Sequence, residues 1–236
     1  STLRILVRLK TVLTLLLSSP ATALKCSRNR LTTLPFLKGV NGLAGPLNDA
    51  WIGYSRSLLQ RLRRWPVLTR SLGASGLQVS VLGFGGAPLG NLYTPISDEE
   101  ARDTLAAALN SGFNFFDTAP HYGAGLSERR IGDAIRACEI GSCIVSTKVG
   151  RLLYPEADAD VQTLRHGFMS PMPFEQRYDY SYDGIMRSWE DSLHRLGLAS
   201  VEILLVHDIG IETHREFHRD RWMEFTTGGG YRALEK

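Results

Sequence analysis

The sequence predicts an α/β fold of parallel strands, built as the first four or so βα units of a (β/α)8 TIM barrel. Three observations carry this. Short apolar segments rich in β-branched or aromatic residues open near positions 79, 113, 143 and 201, the pattern of strands buried on both faces. Helix-like segments with capping residues stand between them. The spacing is roughly 30 residues, one βα unit, stretched once by a loop over 150–180. A complete barrel takes ~250 residues, and a basic leader occupies the start of these 236, so the pattern reads as the amino-terminal half.

Each element has its own grounds. QVSVLGFGG gives a first strand from Val79 to Phe84, ending in Gly85 and Gly86. Ser97 caps a helix whose first turn holds Asp98, Glu99 and Glu100, where the helix dipole favours acids. That helix runs to about Asn110, and Gly112 ends it. Aromatic Phe113, Phe115 and Phe116 open a second strand reaching Thr118. A second helix runs from Ser127, at a capping position before Glu128, Arg129 and Arg130, to about Cys138. CIVSTKVG is the third strand. The loop RLLYPEADADVQTLRHGFMSPMPFEQRYDYS is expected to fold over the rim and shape the substrate pocket, because structureless loops beyond ~15 residues are commonly lids. Tyr182 to Leu196 makes a third helix with Gly197 at its end, VEILLVHD is the fourth strand, and helix signals resume from Gly230 to Lys236.

At 43% apolar content the chain can bury a sizeable core. Its net charge of +3 conceals an asymmetry: residues 1–70 hold 12 Lys and Arg against the single acid Asp49, and residues 71–236 hold 15 basic and 23 acidic residues. The pI of 8.8 therefore belongs to the amino-terminal third, and an acidic globular remainder argues against nucleic-acid binding. Residues 1–68 are read as a basic leader and linker, residues 69–236 as the half-barrel. Within 1–30 there is no acid. Arg4, Arg8 and Lys10 precede the apolar run Val12 to Leu17, and Ala21-Thr22-Ala23 offers a cleavage pattern. That resembles a secretory signal, the acid-free Ser/Thr-rich composition resembles an organellar transit segment, and a fragment or upstream translation artefact fits the start at Ser1. The apolar run falls far short of the ~20 residues that span a bilayer, so no membrane partner is expected. RSLLQRLRRW reads as part of a linker. Cys26, Cys138 and Cys143 show no CxxC or His-spaced partner, which fits a reducing, cytoplasmic setting better than a disulfide framework or zinc site. Cys143, opening an apolar strand, reads as a core thiol.

Four polar residues stand where chemistry is expected. Asp117 and Tyr122 follow the second strand, Lys148 ends the third and His207 ends the fourth. In a parallel sheet or barrel all carboxyl ends share one rim, so the four side chains converge. Singly, each is an ordinary turn, cap or solvated residue; jointly they suit carbonyl reduction. A phenol with pKa near ~10 is a poor acid at neutrality. An ammonium beside it favours the phenolate, and a carboxylate holds that ammonium. Histidine orients the substrate oxygen with a hydrogen bond. The quartet lacks a reductant, so a hydride-carrying cofactor is implied.

GFGGAPLGNLY, FFDTAPHYGAGLSERRIG, VSTKVGR and RSWEDSLHRLGLASVEILLVHD resemble successive segments of the aldo-keto reductase superfamily, most closely its aldose dehydrogenase branch. The resemblance runs from about Leu72 to Lys236. It implies an NAD(P)-dependent oxidoreductase that interconverts an aldose, or another small aldehyde or alcohol, with its oxidised product. It makes Tyr122 the proton donor and acceptor, Lys148 the group that tunes it, Asp117 the partner of Lys148, and His207 the residue that orients the carbonyl. It places Gly86, Ala87 and Asp117 beside the nicotinamide of NAD or NADP, with a small sugar or aldehyde as substrate. The family's later strands and loops, which carry the pyrophosphate and adenine contacts, have no counterpart up to Lys236.

Rival readings fit less well. A Rossmann domain opening on GFGG is interrupted by Pro88 and Pro95 where its helix should start. A metal-dependent hydrolase using His121, His207 and Asp208 leaves Tyr122 and Lys148 unexplained, so no metal is expected. The alternative readings are a catalytically inactive truncated product, or a non-enzymatic interaction protein on the same fold.

Overall fold

A computed structural model of the chain describes residues 67–137 and 143–236. The expectations for the leader, Cys26, RSLLQRLRRW and Cys138 lie outside those residues.

The described chain opens with an antiparallel hairpin, β1 (Thr69–Ser71) and β2 (Gln78–Ser80). This corrects the expected first strand over Val79 to Phe84. β2 stops because Ser80 turns its hydroxyl onto the carbonyl of Leu82 at 2.7 Å, the local side-chain bonding by which serine competes with a sheet ladder. The strand that joins the main sheet is shorter, β3 (Phe84–Gly85). A 3-10 turn, Ala87–Gly90, follows. Helix α1 (Asp98–Asn110) then begins on a reciprocal cap: Ser97 Oγ accepts from Glu100 N, and the Glu100 carboxylate accepts from Ser97 N.

β4 (Phe115–Asp117), α2 (Leu126–Arg136) and β5 (Ile144–Val149) come next. The long loop is not structureless. It contains β6 (Arg151–Pro155), β7 (Leu164–Arg165), β8 (Phe168–Met169) and β9 (Phe174–Tyr178). β6 pairs antiparallel with β9, and β7 with β8 at the tip, so the excursion is a nested hairpin. Helix α3 (Tyr182–Leu196) starts on a Ser181 cap and ends at left-handed Gly197. β10 (Ile203–Val206), the short α4 (Ile211–His214), α5 (His218–Thr226) and α6 (Gly230–Leu234) complete the order.

Four strands form one parallel sheet in the order β10-β5-β4-β3. Asp117 stands opposite Ser146, and Leu205 opposite Lys148, so the carboxyl ends of these strands point the same way. The main core lies between sheet and helices, with Leu89, Leu105, Leu109, Phe116, Ile131, Val145 and Leu196 buried together. Cys143 is partly buried against it, as its apolar surroundings suggested. A second cluster joins Val149, Ile185 and Ala233.

Among the described residues no helix is long and apolar enough to cross a membrane.

Candidate active site

Period-two alternation along β5 sorts its side chains between two faces. Thr147, on the helix side, donates to the fully buried Glu128 carboxylate at 2.7 Å. Ser146 and Lys148 share the other face and both reach Asp117. Ser146 Oγ donates to Asp117 Oδ1 at 2.6 Å, and Lys148 Nζ to Oδ2 at 2.8 Å. Lys148 Nζ also donates to the carbonyl of Thr118 at 2.8 Å. The carboxylate is thus gripped at both oxygens by one strand.

Lys148 is 8% exposed. Burial works against its ammonium, but the Asp117 carboxylate, followed by the Tyr122 phenol, outweighs that penalty and raises its pKa above the usual lysine value. Its Nζ lies 4.6 Å from the centroid of the Tyr122 ring. The ring of His207 stands edge-on to Tyr122, with centroids 6.2 Å apart. The structure therefore gathers Asp117, Tyr122, Lys148 and His207 at one end of the sheet.

Backbone contacts hold Tyr122 and His207. Tyr122 sits in a loop whose next residue, Gly123, interlocks with Gly90: a Cβ on Gly90 would lie 2.5 Å from the Tyr122 carbonyl carbon. His207 N donates to Val149 O at 2.9 Å, and its carbonyl accepts from the Tyr180 hydroxyl at 2.7 Å. Burial raises the Tyr180 pKa, so that hydroxyl is a donor at all ordinary pH.

Gly86 and Ala87 follow directly on β3, and the packing around Gly86 leaves room only for glycine. A Cβ there would meet the Asp117 carbonyl at 2.7 Å, Ser127 Oγ at 2.7 Å and Ile131 Cδ1 at 2.8 Å. Its smallness closes β3 onto β4 and α2. Ser127 is also corrected. The helix begins a residue earlier from left-handed Gly125, with no side-chain cap. The Ser127 hydroxyl instead donates to Gly86 O at 2.7 Å and lies 2.9 Å from Thr118 Oγ1.

Several contacts of the site escaped the sequence reading, which weighed His121 and Asp208 only as metal ligands. His121 Nδ1 lies 2.6 Å from Gln176 Oε1 on β9, and its ring stands 5.6 Å from His207 and 5.2 Å from Phe168. Phe168 is 6.0 Å from the Tyr122 ring as well, so the nested hairpin touches the site. Burial first, then the Arg151 charge, hold His121 down to about 4. Arg151 donates to Asp208 at 2.7 Å, and Asp208 lies 3.5 Å from His207 Nε2. Only the partners' registers, not their types, would have revealed these. His121, His207 and Asp208 do not assemble into a cluster of three metal-ligating side chains, and none occurs among the described residues.

Comparison with known proteins follows the same lines. The aldo/keto reductase family matches over residues 81–232. A pyridoxal 4-dehydrogenase of Microbacterium luteolum is 44% identical over 172 residues, which cover 70% of this chain and 50% of that protein. A D-threo-aldose 1-dehydrogenase of Pseudomonas sp is 40% identical over 137 residues, covering 57% and 42% respectively. A crystal structure of an aldo-keto reductase from Pseudomonas aeruginosa superposes with a TM-score of 0.53 at 30% identity, over 75% of this chain and 58% of that one. The chain thus spans about half the length of the curated relatives it matches. The parallel strands with their helices are part of a (β/α)8 barrel, and the chain belongs to the aldo/keto reductase family.

Proposed function

We propose that this chain carries the acid–base half of an NAD(P)-dependent oxidoreductase, acting on an aldose or another small aldehyde or alcohol. The observation that carries the reading is the position of Lys148 Nζ, bonded to Asp117 at 2.8 Å and 4.6 Å from the Tyr122 ring centroid. Family membership supports it, as do relatives named for oxidising pyridoxal and an aldose.

In the reductive direction Tyr122 gives its hydroxyl proton to the carbonyl oxygen; in the oxidative direction it takes the proton of the substrate hydroxyl. Lys148 remains an ammonium and stabilises the phenolate left behind. Asp117, held by Ser146 and Lys148, keeps that ammonium in place, since a buried cation without its partner would swing or neutralise. His207 orients the substrate oxygen. Tyr180 and Val149 fix the His207 backbone, so its approach is preorganised.

The four side chains hold and move a proton, and none of them takes up a hydride; this is the donor set that a nicotinamide cofactor completes. Bound NAD or NADP supplies the hydride. Gly86, whose N–H donates to the Asp117 carbonyl at 2.7 Å, Ala87 and Asp117 are the residues here that would meet its reacting end. The acidic domain and the partly buried Cys143 fit a cytoplasmic setting.

The test is Tyr122→Phe in a protein of the full length of the relatives, with L-fucose, D-galactose and pyridoxal as substrates and nicotinamide absorbance as the readout. Turnover falls by ~10²–10⁴-fold while nucleotide binding, followed by fluorescence, stays within twofold of the parent. A variant that keeps a third of the parent kcat would remove Tyr122 from the proton path.

A further inference from the structure

Two non-glycine residues in the left-handed region flank one short loop. Asp208, with φ of 47°, follows His207, and Arg215, with φ of 49°, follows His214 at the end of α4. Such backbone persists only where its surroundings hold it. Here the two ends of the loop meet on a single atom. The Tyr180 hydroxyl lies 2.7 Å from the carbonyl oxygen of His207 and 2.9 Å from His214 Nε2. All three residues are buried, Tyr180 completely.

The chemistry of these groups fixes the direction of both bonds. A carbonyl oxygen only accepts, so the single hydroxyl proton of Tyr180 goes to His207. The hydroxyl then has only lone pairs to offer His214, whose Nε2 must carry a proton. Burial first, then the charges of Arg221, Arg151 and His218, against that of Asp208, hold the His214 pKa below the ordinary histidine value. Its ring is therefore neutral at ordinary pH, with a proton on Nε2 and a bare Nδ1. The base of the nested hairpin supports this arrangement. Tyr178 stands edge-on to His214 at 4.6 Å between centroids and stacks on Tyr180 at 6.0 Å. Tyr178 is also the register partner of Arg151, which donates to Asp208.

We propose that His214, acting through Tyr180, is a positioning residue for His207. The chain from His214 Nε2–H to the Tyr180 hydroxyl to the His207 carbonyl closes the loop on itself. It thereby sets where the His207 imidazole meets the substrate oxygen. The effect on turnover rests on the oxidoreductase reading; the hydrogen-bond chain does not.

The experiment uses a protein of the full length of the relatives, with D-galactose as substrate, and compares Tyr180→Phe, His214→Leu and His214→Gln. The glutamine amide keeps a donor at the reach of Nε2. Tyr180→Phe and His214→Leu lower kcat/KM about tenfold, within the loss that a displacement of ~1 Å brings, and leave the nucleotide Kd within about twofold. His214→Gln stays within about threefold of the parent, because the donor is retained. Circular dichroism and melting curves show that the variants fold. In a His207→Ala background Tyr180→Phe lowers kcat/KM no further, since the imidazole it positions is gone; that coupling separates positioning from a general loss of structure. Nitrogen NMR of the histidine rings gives a readout that needs no turnover. His214 shows a protonated Nε2 and a bare Nδ1 at pH 7, and the His207 ring signals move in His214→Leu but not in His214→Gln. A proton on Nδ1 instead, an unchanged kcat/KM in His214→Leu, or an equal loss with and without the His207 ring overturns the proposal. A parent that transfers no hydride sinks the oxidoreductase reading. The ring signals alone then decide the hydrogen-bond chain, and His207 signals that stay put in His214→Leu overturn it.

Discussion

Asp117 shows how much one side chain depends on the register of the next strand. Its role as a partner of Lys148 was legible because both stand at strand ends. The grip of Ser146 on its other oxygen was not, since that needs Asp117 to lie opposite Ser146 rather than one residue away. The surroundings of His121 escaped for a similar reason: Gln176, 55 positions on, defines them. Those surroundings carry a pH prediction. Burial and Arg151, against the hydrogen bond to Gln176 and the more distant Asp208, hold His121 down to about 4, while His166 adds a small push in the same direction. An unfolded histidine takes its proton near ~6.5. As pH falls through the window from about 6.5 to 4, the unfolded chain binds a proton that the folded chain refuses, and stability drops. The loss attributable to His121 is on the order of 2 kcal/mol by pH 4, discounted for its partial exposure. Urea midpoints at pH 7 and pH 4.5 measure it, for the parent and for His121→Gln. The variant should lose less stability between the two; an equal loss would show that His121 is not the titrating group.

At the scale of elements, α1 and α3 carry side-chain caps and were readable, α2 and α6 were found from their residues without one, and α4 and α5 gave no signal. α1 and α3 begin on Ser97 and Ser181, both of which accept from the backbone of the first turn. α5 begins at Phe217 with no capping side chain, and its residues gave no start signal. In α2 the serine signal misled, because the Ser127 hydroxyl is spent on Gly86 and Thr118 across the sheet. The loop that carries Tyr122 was recognisable by its glycines, although what they pack against was not. Gly90 and Gly123 meet backbone to backbone: a Cβ on Gly90 would lie 2.5 Å from the Tyr122 carbonyl carbon and 2.6 Å from Gly123 N. Neither is a flexible side-chain end, so the Tyr122 loop has to move. Gly90→Ala should therefore cost about 1–3 kcal/mol, the usual penalty of overpacking, and lower kcat by more than its effect on nucleotide affinity. Gly85→Ala is the internal control, since a Cβ there meets nothing within 4 Å. Thermal unfolding and kinetics of both variants decide it. If the two behave alike, the Gly90–Gly123 contact does not position Tyr122.

For the molecule as a whole, the sheet order β10-β5-β4-β3 has a consequence in solution. Among the described residues no strand pairs with the outer side of β10, and Ile203, Leu204, Leu205 and Val206 are all only half-buried. An unpaired edge of four consecutive apolar residues is a template for another strand. Natural edges are blunted by a charge, a proline or a bulge, and Ile203–Val206 contains neither a charge nor a proline. The repeat of βα units in the sequence made the strand recognisable; its edge position follows only from the pairing. A polypeptide of residues 67–236 should accordingly self-associate, with β10 as the contact. Sedimentation at rising concentration would show a mass above that of one chain in the micromolar range. Leu204→Lys, which sets a charge on that edge opposite Thr147 and so on the face away from Lys148, should return the mass toward a monomer, because like charges meeting across a strand pair are repulsive. Far-ultraviolet circular dichroism reports whether that variant still folds, and deuterium exchange gives a second readout on the unaltered chain: amides of Ile203 to Val206 gain protection as concentration rises. A parent chain that stays monomeric at high micromolar concentration, with exchange in β10 independent of concentration, would show that this edge is not adhesive.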